Sequence, residues 1–234
     1  QPQTERLLMN RLAELGGHIE WQTELVDMQQ AGSHVAVTLK KASGEQETLN
    51  VRWLIGADGA RSTVRKKLGL SFDGEHYQRH FMLADVDLRW NGWHDEGVFF
   101  LGEREGYVAV APLDDQGRYR LFVEIPRELP PEGERMPLTV ESFQQLCDGR
   151  GQLMKLSNIS SETMAAFQHR RTQTQRVGSV FLVGDATHIG SPIGGQWMNL
   201  GISEAYNLAW KIAHVHAGSL PERTLDSYDA ERRP

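Results

Sequence analysis

Two segments of the chain place glycine beside aspartate directly after an apolar run. The first is Ile55-Gly56-Ala57-Asp58-Gly59-Ala60-Arg61-Ser62, and the second is Val180–Val183 followed by Gly184-Asp185-Ala186-Thr187-His188. Glycine at such a point allows a positive φ and lets a ligand come close to the backbone. An aspartate there can accept hydrogen bonds from ribose or ribityl hydroxyls, and it can equally cap a helix. For the first segment alone, a tight turn with Asp58 as a cap is the stronger reading. For the second, a ligand-binding acid at the carboxyl end of a buried strand and a plain surface turn are evenly matched. A third segment, Ser191-Pro192-Ile193-Gly194-Gly195-Gln196-Trp197-Met198-Asn199, leads into a long helical pattern. The free N–H groups at a helix start favour negative charge by about 1–2 kcal/mol. Two adjacent glycines after a proline fit such a site better than an ordinary connecting loop.

Other chemistries find less support. His188 invites a proton-transfer role, but a structural hydrogen bond within its loop is the better expectation. His214 and His216 point to different faces of one helix, and the nine histidines form no ligand-spaced cluster, so no metal site is expected. There is no Gly-x-Ser-x-Gly elbow and no phosphate-binding P-loop. The formal net charge of -6 disfavours a nucleic-acid binder that works by neutralising phosphates. The short basic runs Arg65-Lys66-Lys67 and His169-Arg170-Arg171 read as solvated faces. The single cysteine, Cys147, excludes an internal disulfide and points to a reducing, cytoplasmic setting. No apolar run reaches the length of a membrane span.

The elements that must position these residues follow from the patterning. Residues 4–15 put Leu7, Leu8, Leu12 and Leu15 on one helical face, and Gly16-Gly17 stops the helix. Extended character at Glu24–Gln30, alternation over His34–Lys40 and a strand at Thr48–Ile55 describe a small antiparallel meander running into a buried sheet. From about Phe72 to Ser161, aromatic-rich runs at Gly97–Leu101, Gly106–Leu113 and Tyr119–Ile125 suggest a second, mainly antiparallel sheet inserted into the first domain. Asp114-Asp115-Gln116-Gly117 reads as its hairpin turn, Pro126–Pro137 as an exposed loop and Val140–Cys147 as a short helix. Ser179–Val183 is a continuous apolar strand. A helix from about Gln196 to His216 has an expected core face of Leu200, Ile202, Ala205, Leu208, Ala209 and Ile212.

In this order and spacing the motifs resemble those of the class A flavoprotein aromatic hydroxylases, the group of para-hydroxybenzoate, phenol and phenylpropionate hydroxylases. Gly56–Arg65 looks like their Asp-Gly motif and Gly184–Asn199 like their Gly-Asp motif. Glu204-Ala205-Tyr206-Asn207-Leu208-Ala209-Trp210-Lys211 is similar to the helix that follows. Tyr228-Asp229-Ala230-Glu231-Arg232-Arg233-Pro234 and the opening Gln1…Glu5-Arg6-x-Leu8 resemble further family segments. The resemblance implies an α/β (α+β) fold. It divides into an FAD-binding Rossmann-like domain over 1–72 and 171–234, incomplete at its N-terminus, and an inserted substrate-binding β-sheet domain over 73–170. It implies FAD as cofactor and NADH or NADPH as electron donor. O₂ would form a flavin C4a-hydroperoxide that hydroxylates a small aromatic, phenolic or polyketide-like substrate. It also implies the site: Gln1, Asp58, Gly59, Arg61, Gly184, Asp185, Gly194, Gly195, Gln196, Met198 and Asn199 on the cofactor, with Pro192 beside the reacting ring.

Two departures stand out. No Gly-x-Gly-x-x-Gly follows a strand, so the part that grips the ADP half of FAD is expected to be missing, and the chain is expected to be a middle portion that binds FAD poorly. Trp197 stands where the family usually has glycine, and Ser191 where a proline is common. Alternatives left open are a flavin-dependent reductase or halogenase-like relative, and a truncated fragment without catalysis.

Overall fold

The computed structural model describes residues 2–90, 99–103, 106–114, 116–125, 137–148, 154–191 and 195–233. Along the chain these form α1 (Pro2–Glu14), β1 (Thr23–Ala31), β2 (His34–Lys41), β3 (Gln46–Val51), β4 (Leu54–Gly56), α2 (Thr63–Lys67) and β5 (Asp73–Trp90). Then come β6 (Phe99–Glu103), β7 (Gly106–Pro112), β8 (Arg118–Ile125), α3 (Val140–Asp148) and β9 (Met154–Arg171). The last are β10 (Arg176–Val177), β11 (Val180–Leu182), β12 (His188–Ile189), α4 (Trp197–His216) and α5 (Ser227–Arg232). The fold is mixed α and β with antiparallel sheets, as the patterning leads one to expect. It divides into two compact units. One comprises 1–73, 171–189 and 196–234, the other 74–170 and 190–195.

In the first unit, β1, β2 and β3 make an antiparallel meander in which Val35 pairs with Val51 and Val37 with Leu49. Alternation on β2 buries Val35 and Val37. The apolar run at 48–55 is not one strand. It breaks at Arg52-Trp53, and β4 leaves the meander to pair in parallel with β11, Leu54 opposite Val180 and Gly56 opposite Leu182. β11 is buried on both faces, which explains its unbroken apolar sequence. Val180 and Leu182 pack with Val35, Val37 and Val64. Phe181 and Val183 pack with Leu208, Val215, Leu225 and Tyr228. Burial pushes the Tyr228 phenol well above its ordinary pKa, and its hydroxyl donates to the Leu182 carbonyl at 2.8 Å.

Helix α4 corrects the expected core face. Its buried stripe is Glu204, Leu208, Lys211 and Val215, whereas Ile202, Ala205 and Ala209 are exposed. The helix carries apolar residues around much of its circumference, so periodicity alone does not select the face. Lys211, with no exposed surface, donates to Glu231 of α5 at 2.7 Å. The expected leucine face of α1 likewise does not form a core: Leu7, Leu8 and Leu12, and Leu15 just after the helix, are all exposed.

In the second unit the strand order is β9-β5-β8-β7-β6. β7 and β8 form the expected hairpin; the Asp114 carboxylate accepts from the N–H groups of Gln116 and Arg118, and Gly117 takes φ +87. One sheet face carries Met82, Ala84, Val86, Val108, Val110, Leu121 and Val123, and α3 covers it with Phe143, Leu146 and Cys147. On the other face, Asp85 and Arg120 sit opposite each other across β5 and β8 in a bidentate pair at 2.7 and 3.0 Å. The segments 91–98, including Trp93, and 126–136, most of the expected Pro126–Pro137 loop, lie outside the described residues.

Candidate functional site

Parallel pairing of β4 and β11 settles where the two glycine–aspartate segments lie. Both leave the carboxyl ends of adjacent strands, and Val183 N–H donates to the Gly56 carbonyl at 3.0 Å. Gly56 is required by space: a Cβ there would stand 2.8 Å from Val64 Cβ and 3.0 Å from Leu182 Cδ2. Gly59 takes φ +77, open to glycine at no steric cost. Asp58 does not reach outward. Its Oδ2 accepts from Thr63 N–H at 2.7 Å and Val64 N–H at 3.1 Å, capping α2. Ser62 Oγ accepts from Arg65 N–H at 2.9 Å and completes the cap. Arg61 is exposed.

Arg65 is the residue that sequence reasoning missed here. Rather than joining a solvated basic face, it is buried, and its guanidinium donates to Ala60 O at 2.6 Å and Ala186 O at 2.9 Å. One side chain therefore ties both turns together. It also lies 3.8 Å over the Phe72 ring, and burial lowers its pKa. Lys66 and Lys67 do remain on the surface. Nothing local distinguishes the three basic residues; the partner of Arg65 at Ala186 is 121 positions away.

The second turn has a different construction. Gly184 takes φ +61, and Gly184–Ala186 makes one turn of 3-10 helix closed by Thr187, whose N–H and hydroxyl both donate to the Gly184 carbonyl at 2.8 Å. Asp185 is exposed and has no hydrogen-bond partner among the described residues. Helix α4 passes close behind: a Cβ on Gly201 would lie 3.4 Å from Gly184 Cα. Glu204, fully buried, accepts from Gly184 N–H at 2.8 Å and meets His188 Nε2 at 2.5 Å. The Trp197 ring packs against the His188 ring at 5.4 Å between centroids.

At the start of α4, Gly195 takes φ +60 and Gln196 is the N-cap residue without a side-chain cap. Gly195, Gln196, Met198 and Asn199 are all exposed. The Gln196 side chain does not cap this twenty-residue helix, whose N-terminal end carries the partial positive charge that favours a negatively charged ligand group. Gln1, Pro192 and Gly194 lie outside the described residues. Among the described residues no cluster of histidine, cysteine and acids could hold a metal ion, and no helix is long and apolar enough to cross a membrane.

The donor set fits a flavin's polyol and ring. There is an exposed carboxylate with no partner among the described residues, a glycine turn against a glycine of the helix behind it, and the N-terminal end of a long helix. The fold and site define a class, and the whole chain, residues 1–234, matches the FAD binding domain family. The chain belongs to that family. It is 37% identical over its full length to 6-methylpretetramide 4-monooxygenase of Streptomyces rimosus, covering 41% of that protein. It is 33% identical to pentachlorophenol 4-monooxygenase of Sphingobium chlorophenolicum, again over the full chain and covering 43% of that protein. Among solved structures, it resembles the anhydrotetracycline hydroxylase OxyS of Streptomyces rimosus with TM-score 0.78 and 31% identity, covering 100% of this chain and 46% of the other. It resembles aklavinone-11 hydroxylase, solved with FAD and aklavinone, with TM-score 0.80 and 30% identity, covering 100% of this chain and 44% of the other. The chain thus spans less than half the length of these relatives.

Proposed function

We propose that this chain is the flavin-holding and substrate-binding part of an FAD- and NAD(P)H-dependent monooxygenase that hydroxylates aromatic, phenolic or polyketide-like rings. The observation that carries the reading is the exposed Asp185, without a partner among the described residues, on a turn set beside a second glycine turn and a glycine of α4. When bound, the flavin supplies hydride acceptance from NADH or NADPH and activation of O₂. The protein's share is orientation and charge. Asp185 accepts from the ribityl hydroxyls, and Gly184 with Gly201 keeps the backbone low enough for close approach. The α4 start faces the electron-rich pyrimidine edge through Gly195, Gln196, Met198 and Asn199, with Pro192 beside the ring. Asp58, Gly59 and Arg61 border the diphosphate or nicotinamide route, Asp58 by holding α2 in place, and Gln1 lies near the FAD. Residues 1–72 and 171–234 form the FAD-binding domain, and 73–170 bind the aromatic substrate.

Flavin fluorescence titration of the purified chain tests this. Saturable quenching that Asp185→Ala weakens by about tenfold or more, the loss of a charge-assisted hydrogen-bond set, is the expected result. Equal quenching by both proteins overturns the role of Asp185. Substrate-dependent O₂ consumption with a hydroxylated product, measured on the natural full-length protein, tests the activity. NAD(P)H oxidation without oxygen in the product would move the reading to a reductase.

A further inference from the structure

Glu204 is an unusual residue for the inner stripe of a helix. It has no exposed surface, and both of its oxygens are engaged, Oε2 by Gly184 N–H at 2.8 Å and Oε1 by His188 Nε2 at 2.5 Å. A carboxylate withdrawn from water is costly unless each oxygen is matched, so its place implies a task that a leucine could not perform. The two partners bracket the turn: Gly184 begins it, and His188 follows it by four positions. The His188 ring is buried, and its Nδ1 has no hydrogen-bond partner. Among the described residues, the one polar contact of this imidazole is therefore to Glu204. With both Glu204 oxygens accepting, Nε2 carries the hydrogen on that axis.

We propose that Glu204 is the positioning residue of the Gly184–Asp185 turn: it fixes Gly184 through its N–H and His188 through its tautomer, so that Asp185 is presented in one orientation. The protein geometry carries the positioning role. Its consequence for flavin rests on the function proposed above.

Glutamine at 204 separates the possibilities. Its carbonyl can still accept from Gly184 N–H, but its amide must donate to His188 Nε2, which forces the hydrogen onto Nδ1. The experiment is ring-nitrogen NMR of the chain carrying ¹⁵N-histidine, with amide exchange at Gly184 and flavin titration on the same samples. The parent chain is expected to show His188 with its hydrogen on Nε2, and E204Q to show it on Nδ1. E204Q is expected to keep Gly184 protection and flavin affinity within about threefold, whereas E204L accelerates Gly184 exchange and weakens flavin by about tenfold or more. The proposal is overturned if His188 has the same tautomer in the parent and E204Q, or if E204Q loses Gly184 protection. It is equally overturned if folded E204L keeps that protection. Should E204L not fold, the two E204Q readouts decide alone. If no protein binds flavin, the proposed function fails while tautomer and exchange still judge Glu204.

Discussion

The two glycine–aspartate turns leave neighbouring parallel strands in the same direction, yet their carboxylates do opposite things. Asp58 turns inward and is consumed by two N–H groups of its own chain. Asp185, one strand over, meets no protein group among the described residues. The difference lies in what each turn precedes. The first runs into a five-residue helix that begins within reach of its own aspartate. The second runs into a 3-10 turn that closes on Thr187 and is held from behind by Glu204 of α4, a helix that starts ten residues later. Equal motifs thus divide into one structural aspartate and one left available to a ligand.

The largest effect expected in a test of this contrast falls on the link between the turns. Arg65→Leu removes the donors to Ala60 and Ala186 and should cost about 2–3 kcal/mol of stability in urea unfolding, with faster amide exchange in both turns. A cost below about 0.5 kcal/mol, the range of an ordinary surface change, would show that the turns do not depend on it. Asp58→Ala should cost about 1–2 kcal/mol as a lost cap and weaken flavin no more than that loss of α2 entails, well short of the effect of Asp185→Ala, measured by unfolding and by titration. A large affinity loss without a stability loss would erase the distinction between the two acids. Asp185→Ala should reverse that profile, shifting stability by no more than about 0.5 kcal/mol while weakening flavin.

The smallest effect lies in the acid limb. Lys211, with help from Asn207, holds the Glu231 carboxyl down to about 2, from an ordinary value of 4.5. Because the folded value is the lower one, the stabilisation is complete above about 4.5 and disappears as pH falls towards 2. Glu231 is half exposed, so solvent screens much of it. Unfolding midpoints between pH 5 and 2 should therefore fall less steeply in Glu231→Gln than in the parent.

Locally encoded features were legible in the sequence. The hairpin at Asp114–Gly117, the long helix ending at His216 and the apolar strands before each glycine–aspartate pair all depend on neighbours in the chain. The mixed α and β class and the family followed from them. What could not be read depends on distant partners. The break between β3 and β4 carries no glycine or proline, since it is made by β11 capturing Leu54–Gly56 from a segment far along the chain. The 18-residue strands β5 and β9 lack clean alternation; β9 is polar in its middle and takes positive φ at Asn158 and Ser161. Buried Arg65 and Glu204 look like surface residues until their partners, 121 and 20 positions away, are in view.

The inner stripe of α4 has a further meaning for motion. Glu204 and Lys211 lie two helical turns apart on the same buried face, with opposite charges matched to different segments, His188 and Gly184 for one, Glu231 for the other. A slide of one turn, about 5.4 Å, would strand both charges away from water without a counterpart, each at a cost of several kcal/mol. The helix is keyed like a shaft in a slot, and the two side chains give its axial setting one value.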